Sequence, residues 1–316
     1  MVILISVIEI IIGFVLLIKG ADFFVDGASS IAVKLGAPQL VIGLTIVALG
    51  TSAPEAAVSI SAAVDVNNGI SIGNVIGSNI MNVLVILGVT SVITTLTVKA
   101  ATVKVDIPVM IGATLLMLLW GVIGGTLNKV TGIVFLLGLA TYIGYLIWYA
   151  KATDASDEGE GIKDLKLWMI PLFILGGLGA IVLGSKLAVM GASNLAKVFG
   201  VSDRLIGLTI VALGTSLPEL ITSITAARKG NADIAIGNIV GSNIFNILFI
   251  LGMTSVLIDL PFRARGANFL IDGIIALIVA VLLLVLVFRE KKLGRGEGIL
   301  MLLGYAAYFT YLLLFQ

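Results

Sequence analysis

The sequence predicts an all-α polytopic membrane protein, with ten transmembrane helices in two inverted five-helix repeats. Three observations lead there. The composition suits no aqueous surface, the apolar runs are long enough to span a bilayer, and one stretch of the chain occurs twice.

Of 316 residues, 59% are hydrophobic and 12% are charged, with a mean hydropathy of +1.19. A soluble protein carries about 25% charged residues, so the lipid bilayer is the solvent of this chain. The net charge of +1 gives no basic field for nucleic acid. There is no Cys and no His. Disulfides, thiolate and imidazole metal sites and histidine proton relays are thereby excluded, and no nucleophile–base pair or zinc motif points to an enzyme. Only oxygen ligands remain, which suit hard ions such as Na+, Ca2+ or Mg2+. No prosthetic group is expected. The first charge is Glu9, with no basic stretch before it, so the first apolar run reads as a span and not as a cleaved leader.

A span needs roughly 20 mostly apolar residues. Ten candidates lie near residues 3–33, 39–64, 70–97, 105–124, 130–150, 167–198, 205–227, 233–258, 267–288 and 296–315. The longest connection, 151–166 (KATDASDEGEGIKDLK), is polar and acidic. It reads as a solvated linker between two five-span units, 1–150 and 167–316, and is too short to hold a regulatory domain. The odd-numbered connections carry 12 Lys and Arg, among them Lys34, Lys163, Lys229 and Lys292, against 5 in the even-numbered ones. Positive charge marks the cytoplasmic side, so both termini are expected outside the cell.

The duplication has an offset of 164 residues. Ile42–Ser52 (IGLTIVALGTS) recurs unchanged at Ile206–Ser216, GNVIGSN at Gly73–Asn79 pairs with GNIVGSN at Gly237–Asn243, and Asn82 pairs with Asn246. About two-thirds of positions 42–92 are identical to their partners. A duplicated scaffold would keep the apolar pattern; identical polar residues in an apolar setting point to duplicated chemistry. Five spans separate the copies, so the second would enter the membrane inverted, and the two would face each other near the midplane.

The polar residues within the copies are those of a cation site. Glu55 and Glu219 lie inside apolar spans, where a charge costs on the order of 3 kcal/mol. Pro54 and Pro218 lack an N–H and clash with the carbonyls of Gly50 and Gly214, kinking the helix and freeing carbonyls. Thr51 shares a helix face with Glu55, with Ser52 beside it; Thr215, Ser216 and Glu219 repeat the arrangement. Ser78 and Asn82 are four apart on the third span, as are Ser242 and Asn246 on the eighth. The glycines of GNxxGSN read as packing residues. Asn74, Asn79, Asn238 and Asn243 could either bridge helices or face the ion pathway. Two carboxylates match one Ca2+ or two Na+, so the site can let these ions compete.

GTSAPE at Gly50–Glu55, GTSLPE at Gly214–Glu219 and the two GNxxGSN runs resemble the cation/Ca2+ antiporter superfamily, in its Na+/Ca2+ exchanger branch. The resemblance covers essentially the whole chain. It implies that helices two, three, seven and eight carry the ions while helices one and six slide across them to alternate access. It implies a Ca2+ site of Glu55, Glu219, Thr51 and Thr215. It implies Na+ sites that share these groups and add Ser52, Ser78, Ser216, Ser242 and the carbonyls of Ala48 and Ala212, with Asn82 lining the centre. Some relatives carry Asp where this chain has Asn246, and in the K+-dependent branch that carboxylate is tied to K+. The H+/Ca2+ branch often uses a His, absent here. The expected activity is Na+-driven Ca2+ export across the plasma membrane by a monomeric transport unit. Alternatives are H+/Ca2+ exchange, K+-dependent Na+/Ca2+ exchange and, less in keeping with an inverted repeat, a cation channel.

Overall fold

The computed structural model describes residues 2–64, 68–153, 162–200, 212–264 and 267–315. In chain order its helices are α1 (Val2–Leu35), α2 (Gln39–Thr51), α3 (Ala53–Val64), α4 (Ser71–Ile93), α5 (Thr102–Gly124), α6 (Lys129–Ala152), α7 (Met169–Val198), α8 (Ala212–Thr215), α9 (Leu217–Arg228), α10 (Ala232–Leu257), α11 (Phe269–Phe288) and α12 (Arg295–Phe315). Among the described residues eight of these are long and apolar enough to cross a membrane, and α2 with α3 makes a ninth candidate, bent by 46°. The fold is an all-helical polytopic membrane fold. The expected seventh span, 205–227, lies partly outside the described residues; its later part is α8 and α9.

The duplicated segments form the core. In the most apolar stretches of α10 and α4, 89% and 72% of residues are buried, against 17% for α1 and 28% for α7. The two long helices therefore lie outside the core, and Leu4, Ile11, Leu172 and Leu175 point outward, as side chains solvated by lipid do. With 34 and 30 residues, α1 and α7 exceed a perpendicular crossing of about 20 residues, and a tilt absorbs the excess. Each ends on a left-handed glycine, Gly36 (φ 61°) and Gly200 (φ 78°), 164 positions apart, a conformation that a Cβ would strain.

α1 and α7 pack backbone to backbone along a glycine seam. A Cβ on Gly20 would lie 2.8 Å from the Gly177 carbonyl, one on Gly184 2.7 Å from the Gly13 carbonyl, and one on Gly191 2.5 Å from the Ser6 carbonyl. The contacts step by seven residues up one helix and down the other. This is the spacing that keeps one face of two antiparallel helices together. Such a seam leaves no room for side chains between the two helices.

Short strands tie the connections together. Leu96–Thr97 pairs with Lys292–Leu293, and Thr126–Leu127 pairs with Leu260–Pro261. Thus the third connection meets the ninth and the fourth meets the eighth. Ion pairs Lys34–Asp164 (2.6 Å) and Lys163–Asp26 (3.2 Å) bring the first and fifth connections to one face, while Lys99–Asp233 (3.0 Å) and Lys229–Asp26 (2.7 Å) bring in the third and seventh.

Candidate ion site

Each copy of the GTSxPE motif breaks its helix at the serine. Ser52 (φ −81°, ψ 6°) separates α2 from α3, and Ser216 (φ −93°, ψ 3°) separates α8 from α9. The prolines sit just after the break, where a missing N–H costs least. The helix resumes at once, with Ala56 N–H donating to Ser52 O at 3.0 Å and Leu220 N–H to Ser216 O at 3.1 Å. Glu55 and Glu219 therefore occupy first turns, where the helix dipole favours a carboxylate. Both are 1% exposed. Neither forms an ion pair with a described Lys or Arg, which removes the reading of a lysine-neutralised glutamate among those residues.

The two copies complete each other. Ser52 Oγ lies 3.0 Å from Glu219 Oε1, and Ser216 Oγ lies 3.5 Å from Glu55 Oε1. Thr51 also reaches the Glu219 carboxylate, and Thr215 that of Glu55. Ser52 Oγ is 2.9 Å from Ser242 Oγ, so with one proton between two neighbours it donates to one and accepts from or abuts the other. Each carboxylate is thus held by the hydroxyls of the opposite copy.

The asparagines resolve into two roles. Asn79 and Asn243 donate to each other's backbone carbonyls at 3.2 Å. Asn74 and Asn238 donate to Ser59 Oγ and Ser223 Oγ at 3.0 Å and more loosely to the carbonyls of Glu55 and Glu219, 3.4 Å away. These four bridge helices. Asn82 and Asn246 differ. Each spends its Nδ2 on the Oδ1 of a bridging asparagine at 3.0 Å, Asn243 and Asn79 respectively, which fixes the amide and turns its own Oδ1 inward. Each also opens a π-helical segment, Asn82–Leu87 or Asn246–Leu251, a wide turn common at functional sites. Sequence periodicity gives no sign of these turns.

Four oxygens in this network remain unspent. Glu55 Oε2, Glu219 Oε2, Asn82 Oδ1 and Asn246 Oδ1 are all buried without a hydrogen-bond partner among the described residues. Four orphaned oxygens at the centre of a membrane protein would be costly unless a cation takes them up. Ser78 and Ser242 are buried as well, and Ser242 meets Ser52. The Ala48 carbonyl accepts from Ser52 N–H at 3.0 Å and, more loosely, from the Thr51 hydroxyl at 3.4 Å. Ala212, whose carbonyl the resemblance implies as a ligand, is the first residue of α8, and the residues just before it lie outside the described set. Of the packing glycines, Gly237 and Gly241 do let α10 approach α2: a Cβ on Gly241 would lie 2.7 Å from the Leu44 carbonyl.

The two approaches to this centre differ. A cavity of about 590 Å³ reaches it between α3 and α7, lined by Pro54, Ala57, Val58, Ser185, Lys186, Met190 and Thr215. Shifting these by 164 gives Pro218, Ile221, Thr222, Ala21, Asp22, Asp26 and Thr51, and there the protein is packed. Phe24, wholly buried, fills that space, with Cζ 3.1 Å from where a Cβ of Gly50 would stand. The residue 164 positions after Phe24 is Ala188. Thr51 is fully buried and Thr215 only partly so. Neither Phe24 nor the charged residues near it stood out in the sequence, because α1 and α7 lie outside the near-identical stretch.

Comparison with known proteins agrees with this geometry. The family model described as sodium/calcium exchanger protein matches residues 5–148 and 169–314. The putative antiporter CaxA of Alkalimonas amylolytica is 38% identical, the match covering 96% of this chain and 98% of the relative. Sodium/calcium exchanger MaX1 of Methanosarcina acetivorans is 33% identical, covering 96% and 97%. A solved structure of the sodium-calcium exchanger NCX_Mj, soaked with zero Na+ and Ca2+, superposes with a TM-score of 0.85 at 32% identity over 100% of both chains.

Proposed function

This chain belongs to the sodium/calcium exchanger family and is a Na+/Ca2+ antiporter, and we propose that the Glu55–Glu219 centre is where the two ions compete. The observation that carries the assignment is the set of four orphaned buried oxygens, two carboxylate and two amide, held by hydroxyls and amides of the opposite copy. Two negative charges balance one Ca2+ or two Na+. Thr51, Thr215, Ser52, Ser216, Ser78 and Ser242 surround the carboxylates as neutral ligands, and the carbonyls of Ala48 and Ala212 complete the shell.

Exchange requires that each ion leave before the other enters. One open approach and one packed approach to a single centre are what such a carrier needs, and a channel would need both open. Ten crossings in two inverted five-helix units account for the crossed hydrogen bonds and for the separation of odd and even connections. The glycine seam supports α1 and α7 moving together against the core. By the distribution of Lys and Arg the odd connections are cytoplasmic, both termini are extracellular, and the cavity faces outward. The ions' ordinary gradients across the plasma membrane then make Na+ entry drive Ca2+ export. Asn246 puts an uncharged amide at the centre, which favours Na+/Ca2+ exchange without K+.

The test is 45Ca2+ uptake into proteoliposomes preloaded with Na+. Uptake should follow the Na+ gradient and be indifferent to K+. Uptake that ignores Na+ and follows a pH gradient would replace this reading with H+/Ca2+ exchange.

A further inference from the structure

The packed approach is held shut by more than Phe24. Asp22 and Asp26 lie two residues either side of it on α1. Lys229, just past the end of α9, sets its Nζ 2.7 Å from Asp26, 3.4 Å from the Asp22 carboxylate and 2.9 Å from the Asp22 carbonyl. Lys163, from the connection before α7, reaches Asp26 at 3.2 Å. Asn231 Nδ2 donates to Ser29 Oγ one turn further along α1, at 2.9 Å. α9 is the helix whose first turn holds Glu219. These bonds therefore tie the long outer helix to the element that carries an ion ligand.

We propose that Asp22, Asp26 and Lys229 form an ion-pair latch that closes the Phe24 approach and must break each time the centre opens to that face. The inference rests on the alternating-access reading above. If α1 slides across the core to open this approach, Asp22 and Asp26 move with it, while Lys229 stays with α9. The pairs cannot survive that displacement.

At the open approach the matching side chains differ. There the residues 164 positions after Asp22 and Asp26 are Lys186 and Met190, and both line the cavity. A methionine cannot hold a lysine, so the carboxylate that two lysines share on the closed side has no equivalent. The third counterpart, Asp65, lies outside the described residues. The Asp26 carboxylate is thus a property of one face, and the pairs it makes favour the state in which that face is closed.

Its strength suits that task. Asp26 is 17% exposed and Lys229 28%, so the pairs are screened less than surface pairs yet are not sealed from water. A latch of this kind shifts a two-state equilibrium by about three- to tenfold, and does not lock it.

The absence of cysteine makes the test direct. Val58→Cys places a reporter in the cavity wall, and Ile221→Cys, next to Thr222, the counterpart of Val58, places one in the packed approach. In purified protein, the labelling rate of each by a hydrophilic maleimide is measured in Na+ and in Ca2+. Asp26→Asn or Lys229→Gln should raise labelling at 221 by about three- to tenfold and lower it at 58. The double variant should do no more than either single one, since both remove the same pair. Lys229→Arg should retain wild-type rates. Asp22→Asn, which removes the weaker arm only, should give a smaller shift in the same direction, and it serves should the stronger variants fail to fold. Lys34→Gln, at the exposed pair with Asp164, should give none. Variants that bind 45Ca2+ normally but leave both rates unchanged would overturn the latch. If the two reporters fail to respond reciprocally even in protein with the latch intact, alternating access fails and the latch with it.

Discussion

The approach walled by Lys186 and Met190 and the approach walled by Asp22 and Asp26 derive from the same repeated sequence, yet one is a cavity and the other is packed solid. The ligands at their meeting point are matched one for one. The walls are not. Ala188 stands against Phe24, and Met190 against Asp26. The copies have kept their identity where ions bind and have diverged where access is controlled. A symmetric centre lets one set of ligands serve ions arriving from either face, while unlike walls let the protein favour one face at rest.

The largest expected effect tests the symmetric part. Glu55→Gln and Glu219→Gln should each weaken Ca2+ binding by about 100-fold or more, because Ca2+ affinity follows the number of charged ligands. The two losses should be comparable, as read by 45Ca2+ equilibrium binding. A loss confined to one glutamate would break the equivalence of the copies.

The next effect tests the unlike walls. Phe24→Ala removes a wholly buried ring and should lower stability by about 3–5 kcal/mol, seen as a reduced unfolding temperature in detergent. Ala57→Phe, in the cavity wall, should fill the cavity. Overpacking costs about 1–3 kcal/mol, so exchange should slow roughly tenfold with little change in Ca2+ affinity at equilibrium. If both substitutions act alike, the two approaches are not in different states.

A smaller effect separates the seam from the lipid-facing surface. Gly184→Ala would put a Cβ 2.7 Å from the Gly13 carbonyl and should lower the unfolding temperature by a few degrees, by about 1–3 kcal/mol of overpacking. At Gly179 no atom lies within 4 Å of an added Cβ. There alanine should be neutral or slightly stabilising, for the helix loses less entropy with it. Smallest is Asn246→Asp, which adds a titratable carboxylate among the ligands. It should change the pH dependence or monovalent selectivity of transport, with Ca2+ flux at neutral pH retained.

Much of this was legible in the sequence, for reasons that differ by element. The spans announce themselves because a bilayer tolerates little but apolar side chains over some 20 residues. The ligand set stood out because Glu55, Ser78 and Asn82 and their partners are polar, membrane-embedded and duplicated, and chance supplies no such combination. The break at Ser52 followed from Pro54. Three features were out of reach. The π-helical turns at Asn82 and Asn246 arise from tertiary packing and leave no local signature. The bridging part played by Asn79 and Asn243 depends on which helix each one faces, which spacing alone left open. An ion pair joins Asp26 to Lys229 across 203 positions; Lys229 alone looks like an ordinary charge at a helix end, and Asp26 like a lone charge within a long helix.

The central claim is that both copies build one ion centre shared by Ca2+ and Na+. Equilibrium 45Ca2+ binding to the purified protein, titrated with Na+ at constant ionic strength, tests it most directly. A single Ca2+ per chain should bind, be displaced by Na+ with a steepness above first order, and be lost in either glutamine variant. Two independent Ca2+ ions per chain, or one that survives in Glu55→Gln or that Na+ fails to displace, would contradict the account.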